Sequence, residues 1–254
     1  MRPTSIPQLP GKARPYIIAH RGNQVVCPEN TLAAFRQALK DGADIIETDL
    51  HVSADGQFVC IHDPTVDRTT DGTGKVEEMT LAELKRFSAG YGRAEFAHER
   101  IPALPELIDL LPEDVALALE LKSDRFLDSR VCERLAELLE QTGIRERTLV
   151  LSFSLPRLKA MQKAAPDIHT GWITLSRLRP LRCTHMLGPF WPILLVNPLY
   201  VRIAHARNQA VCPLDPRPDS RLWLYRLLGC DALLTDDPAT TRQALRLSRN
   251  QRSW

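Results

Sequence analysis

"IIAHRGNQVVCPENTLAAF" (residues 17–35), continued by "RQALKDGADIIETDLHV" (36–52), contains one complete strand–helix–strand pattern. Ile17, Ile18 and Ala19 end an apolar, strand-like run that begins at Tyr16. His20, Arg21 and Gly22 break that run. Pro28–Thr31 then leads into the amphipathic segment "TLAAFRQALKDG", for which Asn30 is a good N-cap. Gly42 falls just past this segment, where a left-handed residue ends a helix. A second strand pattern covers Asp44–His51. Strand, helix and strand in immediate succession form a crossover unit, and crossover units build parallel sheets.

The same rhythm runs to the end of the chain. Further strand patterns cover Val115–Leu121, Thr148–Phe153, His169–Thr174, Ile193–Val196, Gln209–Pro213 and Ala232–Leu234. Amphipathic runs such as "RVCERLAELLEQTG" and "SRLWLYRLLG" separate them, and Gly143 and Gly229 sit past helix ends. Eight such units in 254 residues fit a (β/α)8 TIM barrel over residues 16–248. A doubly wound parallel sheet shares the alternation and is the structural rival. Residues 63–104, polar and glycine-rich with one short helical pattern ("TLAELKRFSAG"), break the rhythm and read as a small inserted subdomain after the second strand region. Residues 1–15 and 249–254 read as flexible tails.

Composition narrows the class. Apolar residues make up 44% and charged residues 25%, ordinary for a globular protein, and the net charge of +2 asks for no nucleic acid. None of the six cysteines forms a CxxC pair, so zinc-ribbon spacing is absent, and several lie in apolar runs as packed thiols. "MRPTSIPQLPGKARPY" does not resemble a secretory signal, and "PFWPILLV" is too short to span a bilayer. The expected setting is cytoplasmic, with no stable membrane insertion.

Residues with chemistry gather at strand ends. In "DIIETDLHV" Glu47 and Asp49 are two apart and share one face of a strand. Buried carboxylates there are costly unless paired or bound to a cation, although a solvated strand end with a nearby Lys or Arg is the plainer alternative. "ALELK" repeats the pattern with Glu120 and Lys122. Three carboxylates on neighbouring strands make an oxygen-rich site for a hard divalent cation. His62 closes the short strand pattern in "FVCIHDP" as His20 closes the first strand. Two imidazoles beside a cation site, with Arg21 and Lys122 nearby, suit acid–base chemistry on a phosphate ester. No P-loop and no GxSxG elbow is present.

These motifs carry a resemblance. "AHRG…PENTLAAF", "GADIIETDLHVSADGQFVCIHDPTVDRTTDGTGKV", "ALELK", "SFS" and "GCDALLTDDP" occur in order, most densely over residues 17–76, and the chain resembles the glycerophosphodiester phosphodiesterase family. The resemblance implies a TIM barrel with a small insertion. It implies hydrolysis of glycerophosphodiesters to glycerol 3-phosphate and an alcohol with one divalent cation, Mg²⁺ or Ca²⁺, with Mn²⁺ as a possible substitute. By position, His20 and His62 match the family's acid–base pair. Glu47, Asp49 and Glu120 match its metal ligands, and Arg21 and Lys122 its phosphate contacts. Members commonly carry a Trp-Thr-Val-Asn-like run at the end of the seventh strand; here the chain reads "VCPLDPRPDS", with Leu214 near the expected Trp. Residues 175–198 match no family motif. The expected partner is a small glycerophosphodiester. A lysophospholipase D-type or sphingolipid phosphodiesterase, with residues 189–196 and Arg177, Arg179 and Arg182 touching membranes, is one rival. A non-catalytic phosphoester-binding barrel is another.

Overall fold

The computed structural model describes residues 6–250, the side chains of 248–250 excepted. Its strands are β1 (Tyr16–Ala19), β2 (Ile45–Val52), β3 (Phe58–Cys60), β4 (Ala116–Leu121), β5 (Thr148–Ser152), β6 (His169–Thr174), β7 (Met186–Pro189), β8 (Ala210–Val211) and β9 (Ala232–Thr235). Eight of them run parallel in the order β8-β7-β6-β5-β4-β2-β1-β9, while β3 folds back antiparallel on β2. The ends of this row meet through Asp231. Its amide donates to the Val211 carbonyl at 2.9 Å, and its Oδ2 accepts from the Val211 amide at 2.9 Å. The result is a (β/α)8 TIM barrel, and the doubly wound alternative is excluded.

Alternation within each strand separates two cores. Ile18, Ile45, Ala116, Ala118, Leu149, Leu151, Ile173, Met186 and Leu234 fill the lumen. Ile17, Ile46, Leu50, Leu117, Leu119 and Val150 face outward to the helices. The small residues let large ones from neighbouring strands interleave at close-packed density. The stretch read as an N-terminal tail contributes to this core from residue 6. Ile6 and Leu9 are buried against the lumen residues, and the Leu9 amide donates to the Tyr16 hydroxyl at 3.2 Å. The remaining parts read as tails, 1–5 and 251–254, lie outside the described residues.

Two local readings change. The sixth barrel strand is Met186–Pro189, and Ile193–Val196 belongs to a helix, Pro192–Val196. A short apolar run fits a strand or a buried helical turn equally well. Here Pro192 at the first helical turn pre-sets the backbone and selects the helix. The N-cap of helix Leu32–Lys40 is Thr31, whose Oγ1 accepts from the Ala34 amide at 3.2 Å. Asn30 instead adopts a left-handed backbone (φ +55°) and turns its side chain inward.

Residues following β3 form a lobe with its own small core. Val59, Ile61, Val66, Val76, Leu84 and Ile101 pack together there, and Ala103 bridges back to Val59 as the chain returns. This lobe holds His62 over one side of the barrel mouth.

Gly22 carries the turn from β1 into the first helix. Its φ is +81°, and a Cβ there would stand 2.6 Å from the Ala34 carbonyl carbon. Gly22→Ala therefore combines a disfavoured backbone with a clash against main chain. It is expected to cost roughly 2–4 kcal/mol, read as a lowered urea midpoint.

Candidate active site

The catalytic-end geometry follows from register. Asp49 on β2 pairs directly with Glu120 on β4. Glu47 lies two residues before Asp49, on the same inward face. Each of the three offers a carboxylate oxygen within 4.8 Å of the others, and all three side chains are buried. The strand end is buried and not solvated, although Arg21 and Lys122 do stand beside it.

Cations and donors hold the cluster in place. The Arg21 amide donates to Glu47 at 2.9 Å. Asn30 Nδ2 donates to Asp49 Oδ2 at 3.0 Å, and the Arg21 guanidinium pairs with the same oxygen at 2.9 Å. Lys122 Nζ donates to Glu120 at 3.1 Å and lies 3.7 Å from Asp49 Oδ1, which accepts no hydrogen bond. Burial and the charge of Asp49 push Glu47 up to about 8 and raise Glu120 above the ordinary carboxylate value. Burial opposes ionisation of Asp49 too, but Arg21, His62 and Lys122 outweigh it and hold Asp49 below its usual value. An oxygen-only donor set with a buried, unsatisfied carboxylate oxygen and an excess of negative charge fits a hard divalent cation.

Each histidine is oriented by a carboxylate. His20 Nδ1 lies 2.8 Å from Asp236 Oδ1, at the end of β9. A carboxylate only accepts, so Nδ1 carries its proton toward Asp236, to which Gln24 Nε2 also donates at 2.7 Å. Burial disfavours the His20 imidazolium, but the Asp236 hydrogen bond and the charge of Glu47 prevail and raise its pKa. His62 Nδ1 lies 2.6 Å from Asp63 Oδ1, and Lys122 Nζ stands 3.0 Å from His62 Nε2. That pairing requires Nε2 to present a lone pair. Arg68 grips Asp63 and Glu29 together, holding Asp63 well below the carboxylate range, and Glu29 pairs with Arg21 at 3.0 Å. A continuous charged chain therefore runs from His62 to Asp49.

All seven site residues expected from the sequence come together: His20, Arg21, Glu47, Asp49, His62, Glu120 and Lys122. Asp236, Gln24, Asp63, Arg68, Glu29 and the inward role of Asn30 were not assigned. Asp236 lies in the quoted "TDDP", Glu29 and Asn30 in "PENT", and Asp63 directly follows His62, but nothing in spacing ties them to the imidazoles.

The mouth has two unlike halves. Opposite the carboxylates, Leu151, Ile173, Met186, Pro213 and Leu214 line an apolar cavity of about 40 Å³ that reaches His20, Glu47 and Glu120. Leu214 pairs with Phe190 as a parallel bridge. Trp191 stands beside them, with the Arg221 guanidinium 4.4 Å over its ring.

A TIM barrel with this charged mouth defines a class, and comparisons with known proteins agree. The model of the Glycerophosphoryl diester phosphodiesterase family matches residues 20–240. A glycerophosphodiester phosphodiesterase of Caldanaerobacter subterraneus is 34% identical over 88% of this chain and 95% of its own length. One from Bacillus altitudinis is 32% identical over 87% and 94%. Among solved structures, an Oleispira antarctica phosphodiesterase in complex with the product sn-glycerol-3-phosphate aligns at a TM-score of 0.83 and 29% identity, covering 91% of this chain and 97% of that one. The chain belongs to the glycerophosphoryl diester phosphodiesterase family and is a phosphoric diester hydrolase.

The raised Glu47 pKa has a signed consequence for the metal-free protein. Unfolding lets Glu47 ionise at its ordinary value near 4.5, whereas the folded state keeps the proton to about 8. Stability from this group is thus full below pH 4.5 and is lost as pH rises toward 8. Glu47→Gln keeps an acceptor for the Arg21 amide and removes the charge. At pH 8.5 it is expected to raise the Tm of the metal-free protein by about 5 °C, with little change at pH 5. Equal shifts at both pH values would contradict the like-charge account.

Proposed function

We propose that the protein hydrolyses glycerophosphodiesters to glycerol 3-phosphate and an alcohol, using His20 and His62 as an acid–base pair beside a divalent cation. The observation that carries this reading is the placement of two carboxylate-anchored imidazoles around three buried carboxylates. Glu47, Asp49 and Glu120 would hold the cation, with Mg²⁺ or Ca²⁺ as the fitting ions and Mn²⁺ as a substitute. When bound, it supplies positive charge to the non-bridging phosphate oxygens. Arg21 and Lys122 add charge from the protein and orient the glycerol-phosphate half.

Proton traffic divides between the histidines. His62, held by Asp63 with a lone pair on Nε2, suits removal of a proton from the attacking water, whose oxygen forms the new bond to phosphorus. His20, favoured as imidazolium by its hydrogen bond to Asp236, suits donation to the departing alkoxide. The bond from phosphorus to the alcohol oxygen breaks as the new P–O bond forms, and the proton taken by one ring is balanced by the proton given by the other.

His20→Ala and His62→Ala are each expected to lower kcat by about 10²–10⁴-fold with unchanged circular dichroism. Asp236→Asn keeps the His20 contact but loses its charge. It should lower kcat by about tenfold and move the limb of the pH–rate profile assigned to His20 toward lower pH. Wild-type turnover in a folded histidine variant would remove that residue from the scheme. Chelation should abolish turnover, with Mg²⁺, Mn²⁺ or Ca²⁺ restoring it, and activity that survives prolonged EDTA treatment would refute the cation site.

The substrate half opposite the carboxylates meets Leu214 and the small apolar cavity. A modest apolar wall offers limited contact area, so discrimination among alcohols is expected to be loose. Soluble diesters such as glycerophosphocholine should give higher kcat/KM than monomeric lysophosphatidylcholine, whose acyl chain is carried on the glycerol half and would have to lie along the charged side of the mouth, by Arg21 and Lys122. A clear preference for the acylated compound would favour a lysophospholipase D-type activity. Six free cysteines, among them Cys60 with a thiol pushed up to about 12 by burial, support a reducing, cytoplasmic setting.

A further inference from the structure

From Ile168 to Leu214 the chain carries no Asp or Glu but five arginines, at 177, 179, 182, 202 and 207, although the whole protein is nearly neutral at +2. Part of this acid-free segment stands at the catalytic end. After β6 the chain emerges as Leu175-Ser176-Arg177-Leu178-Arg179, every residue of it exposed. After β7 the helix Pro192–Val196 and the turn beyond it expose Leu195, Val196 and Leu199, at 52%, 68% and 57%. The two stretches are tied together, because Asn197 Nδ2 donates to the Leu178 carbonyl at 2.8 Å. Arg202 projects one turn along from Leu199. No ion pair involves Arg177, Arg179 or Arg202 among the described residues. Phe190, 38% exposed, links this rim to Leu214 in the mouth.

We propose that this rim docks the active-site mouth on the surface of an anionic lipid bilayer. Exposed leucine and valine on a short helix and the loops beside it, ringed by arginines without ion-pair partners, match the interfacial region of such a membrane in both respects: apolar side chains enter the headgroup boundary and guanidinium groups meet phosphates. Charge decides between this occupant and a second copy of the chain. Self-association through the rim would oppose arginine to arginine, with no carboxylate in the segment to receive them. A lipid surface also suits the reaction, since a glycerophosphodiester is what remains when both acyl chains leave a phospholipid. The contact is peripheral, as no described helix is long and apolar enough to cross a membrane.

The test uses the full chain and sedimentation with vesicles, and it is read without turnover, so its outcome is independent of the catalytic assignments. Vesicles of equal phosphatidylcholine and phosphatidylglycerol should pellet the protein at low salt, with binding falling as salt rises. Pure phosphatidylcholine vesicles should pellet it far less. R177E/R179E is expected to weaken binding to the anionic vesicles by about twentyfold or more. L195S/V196S, which leaves every charge in place, should weaken it severalfold, and both variants should hydrolyse soluble glycerophosphocholine as the wild type does. Absence of pelleting with anionic vesicles, or wild-type binding by both variants, would overturn the proposal. So would a concentration-dependent dimer that L195S/V196S abolishes without any vesicle binding.

Discussion

Burying Glu47, Asp49 and Glu120 side by side is the constraint on which the catalytic end depends. Three carboxylates removed from water repel one another, and each ion loses hydration worth several kcal/mol. The surrounding residues act on that cost in distinct ways. Arg21 and Lys122 bring two positive charges to the cluster, Asn30 donates to its most deeply held member, and Glu47 keeps its proton well past neutrality. Asp49 is the anchor. It alone is pulled below its usual pKa, because three cationic or protonatable groups converge on it. Three carboxylate oxygens within 4.8 Å of one another, with Asp49 Oδ1 accepting no hydrogen bond, form the oxygen donor set that a hard cation takes.

That constraint reaches the histidines through charge. Arg68 does not touch the cluster, yet it fixes Asp63 and Glu29, and these in turn orient His62 and Arg21. Asp236 approaches from the far side, on the last barrel strand, and sets the tautomer of His20. Closure of the barrel therefore fixes the surroundings of His20 as well as the sheet. Asp231, which joins β8 to β9 and receives Arg14 and His205, holds the strand that delivers Asp236.

The other half of the mouth obeys different physics. Leu151, Ile173 and Met186 project inward where β2 and β4 project carboxylates, so a phosphoester would meet charge on one side and apolar surface on the other. Under the proposed function, such a division would hold the phosphate by electrostatics and leave the alcohol to shape. The acid-free segment after β6 extends the apolar side to the outer rim.

The parallel architecture was legible in the sequence alone, and the seven residues that its strand patterns place at one end of the barrel do meet at the mouth. Period-two and helical patterns are local, and a residue at a strand end projects in a known direction. Thus Glu47 and Asp49 could be placed on one face, and His20 and Glu120 at the same end, before any contact was known. Tertiary structure alone decided what those patterns leave degenerate. Ile193–Val196 satisfies a strand or a helical turn, and only packing after Pro192 separates them. Asn30 satisfies an N-cap, and only the approach of Asp49 turns it inward while Thr31 caps the helix. Asp236 is 216 residues from His20, and Arg68 is 39 from Glu29. Partners so distant along the chain are joined by barrel closure and by the folding of the insertion, and the energy of their pairing depends on burial that no local pattern records.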